Sequence, residues 1–284
     1  MNFNTMFDDV LTKRDVADTT RAMYKSNFNT MSKILDDDFW ELSPTSMVKV
    51  FEKMDKSAHQ KKSMLNLTII YKQTKLDKNQ IEPLIAYRHK LADYINSGKA
   101  ETNKKIIEEL PEFEQYLKDV NAIKKKQGIK YIINTLLIEL SCRNLDLDCE
   151  IFMQQPKSEL KKRKRQAYAN QKNFLEVRSK DVVLHRKFYK TVRTYGEKVN
   201  IIKNLKLRNA IAQHYKDQDN LIPFSVSNLS RYIESQTFNL GEGKIFKMSV
   251  HYYKQKGDLQ KIQEMGKSRG TDVQTIIENY DLDG

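Results

Sequence analysis

Glycine and proline are scarce in this sequence, with 9 and 5 residues among 284. Both residues mark turns and the ends of helices, so a chain with few of them encodes few tight turns. Hydrophobic residues make up 39% and charged residues 31%, a balance typical of a folded globular protein. The sequence therefore predicts a mainly helical protein, and its length suits two domains of ordinary size.

The first third of the chain has the pattern of a compact bundle of four or five short helices. Ser43-Pro44-Thr45 is a typical helix start, and Asn96-Ser97-Gly98 is a typical helix end. The apolar spacing predicts helices over residues 22–35, 43–54, 57–73 and 80–95. We therefore expect a helical domain over residues 1–98, followed by a polar linker at 99–104.

Residues 105–284 are predicted to form a second, larger domain that contains a small sheet. Tyr131–Leu140 is strongly apolar and predicts a buried helix, and the helical period returns from Leu205 onward. Segments with β character, separated by turn residues, lie at 149–153, 174–177, 181–186 and 198–202. The expected fold class is α+β, mainly α with a small antiparallel β-sheet of about three strands in a β-hairpin insertion.

The chain carries a large positive charge. Lysine and arginine number 50 against 37 aspartates and glutamates, which gives a net charge of +13. Such a surplus favours a polyanionic partner, nucleic acid before an anionic membrane. The densest basic run is 157–165, with Lys157, Lys161, Lys162, Arg163, Lys164 and Arg165. We predict that this run follows the DNA backbone; the alternatives are a disordered basic loop or a localisation signal.

Several classes of protein are excluded by what the sequence contains. Two cysteines and five scattered histidines cannot form a disulfide framework or a four-cysteine zinc site. No apolar run approaches the roughly 20 residues of a membrane span, and no hydrophobic leader is visible. We expect no metal, no cofactor, no membrane contact and no small-molecule substrate. The expected location is intracellular and DNA-associated, in a prokaryotic cytoplasm or a eukaryotic nucleus or viral factory.

Five features along the chain carry residue types that phosphate chemistry uses. In chain order they are Arg143 with Asp146, Lys190 with Thr191, Lys244 with Lys247, the turn at Gly270-Thr271, and Tyr280. Each has an ordinary explanation: Arg143 could pair with Asp146, Lys190 could be a surface residue, and the lysine pair could be a solvated helix face. Their order and spacing are more informative than any one of them.

This ordered set resembles the tyrosine recombinase (phage-type integrase) superfamily, which shares its catalytic fold with the type IB topoisomerases. In that family an apolar helix leads to an arginine with an acid three positions on. A β-hairpin lysine, a His/Lys-x-x-Arg box, a Gly-Asp-Leu turn, a Gly-His-Ser turn and a tyrosine follow. The likeness covers residues 130–284. It covers 10–98 more loosely, where Thr19-Thr20-Arg21-Ala22-Met23-Tyr24 is similar to the family's helical, SAM-like core-binding domain.

The resemblance implies cleavage and rejoining of DNA through a 3′-phosphotyrosine, in site-specific recombination or integration of a mobile or viral element. Tyr280 would be the nucleophile and Lys190 the general acid. Arg143 and Lys247 would bind the non-bridging oxygens, and Lys244 would bind phosphate or position the tyrosine. No metal is needed for this reaction.

The resemblance also implies an architecture. Residues 1–98 and 105–284 would close around double-stranded DNA as a C-shaped clamp, with Arg193 and Arg269 as further DNA contacts. Family members act as tetramers on two duplexes, often by exchanging a C-terminal segment. Because only residues 281–284 follow Tyr280, we expect a monomer when the protein is free and a possible tetramer on DNA.

Two positions depart from the family pattern. Lys247 stands where the family has arginine, and a lysine cannot form the bidentate fork of a guanidinium. Thr271 stands in the histidine or tryptophan position, unless Gly266-Lys267-Ser268 is the matching turn, which would place Lys267 there. Arg269 or His251 are the candidates to replace the missing imidazole.

The departures leave other functions open. One is a degenerate member of the fold that binds DNA without cleaving it. Another is a strand-transfer enzyme of the same fold whose product differs, either a type IB topoisomerase or a hairpin-forming telomere resolvase. The last is an unrelated helical nucleic-acid-binding protein, in which the five features would not converge in space.

Overall fold

Helices make up most of the molecule, as the scarcity of glycine and proline predicted. The computed structural model describes residues 2–153, 157–223 and 226–280. It gives the backbone alone at 99–104, 107, 125, 157–158, 226–227 and 277–280. The chain divides into two units, Met1–Thr102 and Asn103–Gly284. Over the described ranges, no helix combines the length and the apolar character that crossing a bilayer requires.

The first unit is a helical bundle with an aromatic core. Its helices are α1 (Phe3–Lys13), α2 (Asp18–Met31), α3 (Pro44–Lys53), α4 (Ala58–Lys72) and α5 (Glu82–Glu108), with a 3-10 helix at Asp37–Glu41. The Trp40 ring contacts the rings of Phe7, Phe28 and Tyr71, with centroids 5.2–5.8 Å apart. Lys72 is buried beside this cluster, where its Nζ donates to the carbonyl of Trp40 (2.9 Å). The aromatic rings therefore tie together the helices and the 3-10 turn of this unit.

The helix starts of the first unit confirm the sequence signals, but one helix end was wrong. Ser43 caps α3, and Ser57 caps α4 through a capping box with Gln60. The expected end at Asn96-Ser97-Gly98 is overrun by α5, which continues to Glu108 and contains the residues predicted as a linker, 99–104. A glycine inside a helix costs only about 1 kcal/mol, so the good helix formers after Gly98 extend the helix. Helix α1 was not predicted, although Phe3, Phe7 and Leu11 recur every four residues.

The second unit is built around a buried helix. Its helices are α6 (Phe113–Asn121), α7 (Gly128–Leu140), α8 (Lys157–Ala169), α9 (Val192–Tyr195), α10 (Leu205–His214), α11 (Val226–Gln236), α12 (Glu242–Gln255), α13 (Leu259–Arg269) and α14 (Val273–Tyr280). Short 3-10 helices lie at Lys125–Gln127 and Asn144–Leu147. Helix α7 is the apolar helix predicted from the sequence, and α6, α10, α11, α12 and α13 pack around it. Packing on several sides of α7 explains why most of its residues are apolar, while Glu139 lies on its exposed side.

The sheet has four strands and is mixed, which corrects the expected three-stranded antiparallel sheet. The strands are β1 (Cys149–Met153), β2 (Asn173–Val177), β3 (Val182–Arg186) and β4 (Lys198–Ile202), in the spatial order of the chain. β1 is parallel to β2, and the other pairs are antiparallel. A parallel pair needs a crossover, and α8 provides it. The basic run is therefore a helix, not the disordered loop considered as an alternative.

A buried ion pair joins β3 to the segment that follows α7. Arg186 and Asp146 are both fully buried, and Arg186 Nη1 lies 2.9 Å from Asp146 Oδ2. The guanidinium also donates to Asn200 Oδ1 on β4 (2.7 Å) and to the carbonyl of Ser268 at the end of α13 (2.7 Å). One side chain thus connects four segments that lie far apart in the sequence.

We predict that Asp146→Ala destabilises the second unit by about 3–5 kcal/mol, because it leaves the Arg186 charge buried without its counter-charge. Urea denaturation followed by circular dichroism measures the change in unfolding free energy. Glu264→Ala is the matched control, since it breaks the exposed pair of Glu264 with Lys261 (3.5 Å) and should cost less than about 1 kcal/mol. Equal losses in the two variants would contradict a dominant role for the buried pair.

Candidate functional site

The last turn of α13 is the point where the predicted site residues and the hairpin meet. The final carbonyls of a helix have no partner within the helix and carry partial negative charge. Here basic and hydroxyl side chains bind them. The contacts are Lys198 with the carbonyls of Lys267 and Ser268, Arg186 with Ser268, Arg143 with Arg269, and Thr191 with Gly270.

Arg143 reaches this turn from the 3-10 helix after α7. Its Nη1 donates to the carbonyl of Arg269 (2.8 Å) and its Nη2 to Thr271 Oγ1 (3.2 Å). The expected pairing with Asp146 occurs through the backbone, where the Arg143 N–H donates to Asp146 Oδ2 (2.9 Å). Asp146 therefore binds the Arg143 backbone and the Arg186 guanidinium with one oxygen, which directs the Arg143 side chain toward the turn.

The connection between β3 and β4 is held at the same place. The buried Asn173 side chain accepts hydrogen bonds from the N–H groups of Lys187 and Phe188 (both 2.9 Å). Its amide donates to the carbonyl of Asp146 (3.2 Å), which fixes the start of the connection beside the 3-10 helix. Thr191 then donates to the carbonyl of Gly270 (3.0 Å). The segment that contains Lys190 is thus anchored on both sides.

Lys198 is a cation of this site whose ionisation is strongly perturbed. The pKa of Lys198 is lowered to about 8 by burial and by the nearby charges of Arg186 and Arg143, against the opposing effect of Asp146. Its Nζ lies 4.9 Å from the centroid of the Tyr195 ring and 5.4 Å from that of Tyr189. β4 pairs Lys198 with Arg186, which places both side chains on one face of the sheet.

The predicted catalytic residues are distributed unevenly around this site. Thr271 contacts Arg143, whereas the Lys267 side chain, the alternative for the same position, is exposed. Lys190 and Lys244 are exposed. Lys247 is half-buried on α12, where burial lowers its pKa. Tyr280 is the last residue of α14, and its side chain lies outside the described residues.

Two of the predicted DNA contacts are buried in ion pairs. Arg269 is bound by Glu242 (3.0 Å) at the start of α12, and Arg163 is bound by Asp217 (2.9 Å). Both side chains are less than a tenth exposed, so these charges serve the packing of the unit. Lys164 is half-buried, and the exposed members of the set are Lys161, Lys162, Arg165 and Arg193. Lys157 is on α8, but its side chain is not among those described.

The sequence interpretation did not select Arg186 and Lys198, although it predicted their strands. A charged residue that ends an otherwise apolar strand, as Arg186 does in Val182–Arg186, is the available signal for a buried pair. Lys198 has no such signal in the sequence. His251, proposed as a substitute for the missing imidazole, is half-buried on α12 in a small cleft beside Phe113.

No protein-family model, no curated protein and no solved structure matches this chain. In the described part of the chain, no group of three or more histidine, cysteine, aspartate or glutamate residues is placed to hold a metal ion.

We predict that Gly270→Ala destabilises the turn more than Gly257→Ala does. Both glycines have φ near +70°, where a Cβ costs roughly 1–2 kcal/mol. At Gly270 the new Cβ would also lie 2.3 Å from Thr191 Oγ1, whereas at Gly257 no atom lies within 4 Å. Denaturation midpoints of the two variants isolate the effect of this close approach. Indistinguishable midpoints would show that the hairpin connection is not held against the turn.

Proposed function

We propose that this chain cleaves and rejoins DNA strands through a 3′-phosphotyrosine on Tyr280, in site-specific recombination or integration of a mobile or viral element. One observation carries the proposal. Arg143 and Lys198 meet at the Gly270-Thr271 turn, and Thr271 precedes Tyr280 by nine residues in the sequence. These segments are separated by tens of residues in the sequence. The family resemblance singles out Arg143 and the Gly270-Thr271 turn, and Lys198 joins them from β4.

Arg143 is suited to bind the phosphate under attack. The transition state of phosphoryl transfer gathers charge on the non-bridging oxygens, and fixed cationic donors stabilise it most when they need no reorganisation. The carbonyl of Arg269 and the hydroxyl of Thr271 hold the guanidinium in place. In the proposed mechanism Lys247 and Lys244, on α12, supply further positive charge, as the resemblance implies.

Lys198 is the better candidate for the general acid, in place of Lys190. Tyr280 loses its hydroxyl proton to solvent as its oxygen attacks the phosphorus, and it regains a proton from solvent when it is later released. The bond to the 5′-oxygen breaks, and the leaving alkoxide needs a proton. A general acid works best when its pKa is near the operating pH, and the pKa of Lys198 is about 8. Return of the proton to Lys198 and attack by a 5′-hydroxyl on the phosphotyrosine restore the phosphodiester and release the tyrosine.

The proposed DNA surface uses the exposed basic residues of α8 together with Arg193. Contacts of this kind grip the phosphate backbone and make binding strongly dependent on salt. The C-shaped clamp formed by the two units and the assembly of four copies on two duplexes are parts of the proposal that rest on the resemblance alone.

A second candidate is a DNA-binding protein that does not cleave. Arg143 already donates to the turn, Thr271 replaces the expected imidazole, and Lys247 replaces the expected arginine. These features favour a site that holds a phosphate without activating the tyrosine. The two candidates make different predictions for a covalent product.

We expect the wild-type protein to form a covalent adduct with DNA that Tyr280→Phe abolishes, because the substitution removes only the nucleophilic oxygen. The substrate is a library of duplexes with a 5′-bridging phosphorothiolate, since the thiolate released on cleavage rejoins poorly. Denaturing electrophoresis detects the adduct, and sequencing of the trapped DNA identifies the site.

Tyr252→Phe is the matched control, because it removes a tyrosine hydroxyl that binds Glu114 (3.1 Å) on α6. It should leave the adduct unchanged. Salt-sensitive duplex binding with no adduct in the wild type would favour the non-cleaving candidate.

We predict that Lys198→Ala lowers cleavage of an ordinary 5′-oxygen substrate by about 10²–10⁴-fold, the usual contribution of a general acid. Cleavage of the 5′-sulfur substrate should be nearly unchanged, because a thiol has a pKa of roughly 8.5 and leaves without a proton. Activity on sulfur also shows that the variant is folded. Lys190→Ala is the control. If this variant loses cleavage of the oxygen substrate and keeps cleavage of the sulfur substrate, the proton transfer belongs to Lys190.

The pH dependence of the wild type follows from the lowered pKa of Lys198. The acid must be protonated to act, so the rate on oxygen relative to sulfur should be constant below about pH 8. Above this pH the ratio should fall about tenfold per unit, since one proton is lost. Single-turnover rates at DNA concentrations far below saturation measure the ratio, because they report the pKa of the free protein. A ratio that stays level up to pH 10 would contradict the assignment.

A further inference from the structure

A second basic cavity lies between α8 and the sheet. Its volume is about 420 Å³, and it is lined by Leu160, Lys161, Lys164, Arg165, Tyr168, His185 and Glu197. Successive residues of a strand point to opposite faces of a sheet, so His185 and Arg186 on β3 face opposite ways. The cavity is therefore on the other face of the sheet from the Arg143 site. It depends on α8, the crossover helix between β1 and β2.

The helix spacing concentrates positive charge on the wall of this cavity. Lys161, Lys164 and Arg165 share one face of α8 with Tyr168, whereas Lys162 is exposed and does not line the cavity. The one acidic residue of the lining, Glu197, lies 3.5 Å from Lys187. The lining therefore has an excess of cations, which favours an anionic ligand.

Two buried polar atoms in the lining have no hydrogen-bond partner among the described residues. They are the Tyr168 hydroxyl and Nδ1 of His185, whose side chain is nine-tenths buried. Leaving such atoms without a partner costs about 1–3 kcal/mol each, so their presence beside a cavity points to a ligand. Burial raises the pKa of Tyr168 to about 12, which keeps its hydroxyl a donor at neutral pH.

His185 is oriented by its other nitrogen. Nε2 lies 3.3 Å from Glu176 Oε2, so this carboxylate accepts from the ring. Nδ1 is then an acceptor in the neutral ring and a second donor in the protonated ring. Burial lowers the pKa of His185, against the opposing effect of Glu176. When the ring is neutral, Nδ1 can accept a hydrogen bond from a protonated oxygen of the ligand. When the ring is protonated, Nδ1 can donate to a charged oxygen, so a ligand that has both kinds of oxygen suits either state.

We propose that this cavity binds a phosphate group. Three basic side chains and a tyrosine hydroxyl supply donors for its oxygens, and His185 completes the set. Stacking of a base on the Tyr168 ring is disfavoured, because Lys164 and Lys187 already lie 5.4 and 5.0 Å from its centroid. The phosphate comes either from a free phosphate compound or from a nucleic-acid backbone. Only the second source rests on the proposed function.

The first arm of the test uses inorganic phosphate and the full chain, with binding followed by isothermal titration calorimetry. For a free ligand we expect wild type and Lys162→Gln to bind alike. The double variant Lys161→Gln/Arg165→Gln should bind at least tenfold more weakly, and Tyr168→Phe several-fold more weakly.

The second arm measures affinity for a fluorescent duplex over a range of salt. For a backbone phosphate, Tyr168→Phe should weaken binding several-fold with an unchanged salt slope, because it removes no charge. The double variant should lower the magnitude of the slope of log affinity against log salt concentration by up to about 2. For Lys162→Gln the decrease should be at most about 1.

The thermal midpoint without phosphate separates ligand binding from folding. Tyr168→Phe should leave it unchanged or raise it, because the hydroxyl has no partner to lose. A midpoint lowered by several degrees would show that the hydroxyl is bound within the protein and would overturn the proposal. The proposal also fails if the wild type does not bind phosphate and Tyr168→Phe binds the duplex as tightly as wild type. A Tyr280 adduct formed by such a protein would leave the proposed function intact.

Discussion

The unsatisfied carbonyls at the end of α13 are the constraint around which the second unit is organised. A helix C-terminus that is enclosed by other segments must find donors for these oxygens. They come from Arg143, which follows α7, and from Arg186, Thr191 and Lys198, which lie on β3, β4 and their connection. The buried pair of Arg186 with Asp146 holds these stretches in register. Without it, the charge that caps the helix would itself be unpaired inside the protein.

The same contacts explain how a structural cap can be a site for an anion. Cationic groups gathered at one point raise the local potential, and the proximity of Arg186 and Arg143 helps to lower the pKa of Lys198. A phosphate placed there would reduce this repulsion. Capping and phosphate binding are therefore compatible uses of one cluster. The proposed chemistry depends on Tyr280, which follows the same turn at the end of one short helix.

The sheet separates two basic regions with different surroundings. Arg186 and Lys198 face the end of α13, while His185 and the α8 cavity are on the opposite face. Not every basic residue adds to these regions, since Arg163 and Arg269 are enclosed by carboxylates. Net charge and local basic runs predict a polyanionic partner. They do not tell which cations face solvent.

Local patterns in the sequence determined the helical class, most helix starts and the positions of the strands, because capping, periodicity and β-branching act over a few residues. The resemblance to the tyrosine recombinases singled out Arg143 and Thr271, which do meet. Tertiary structure alone decided that β1 runs parallel to β2. It also decided that Lys198, and not Lys190, reaches the end of α13. These outcomes depend on packing between distant segments, and such packing leaves no periodic signal in the sequence around any one of them.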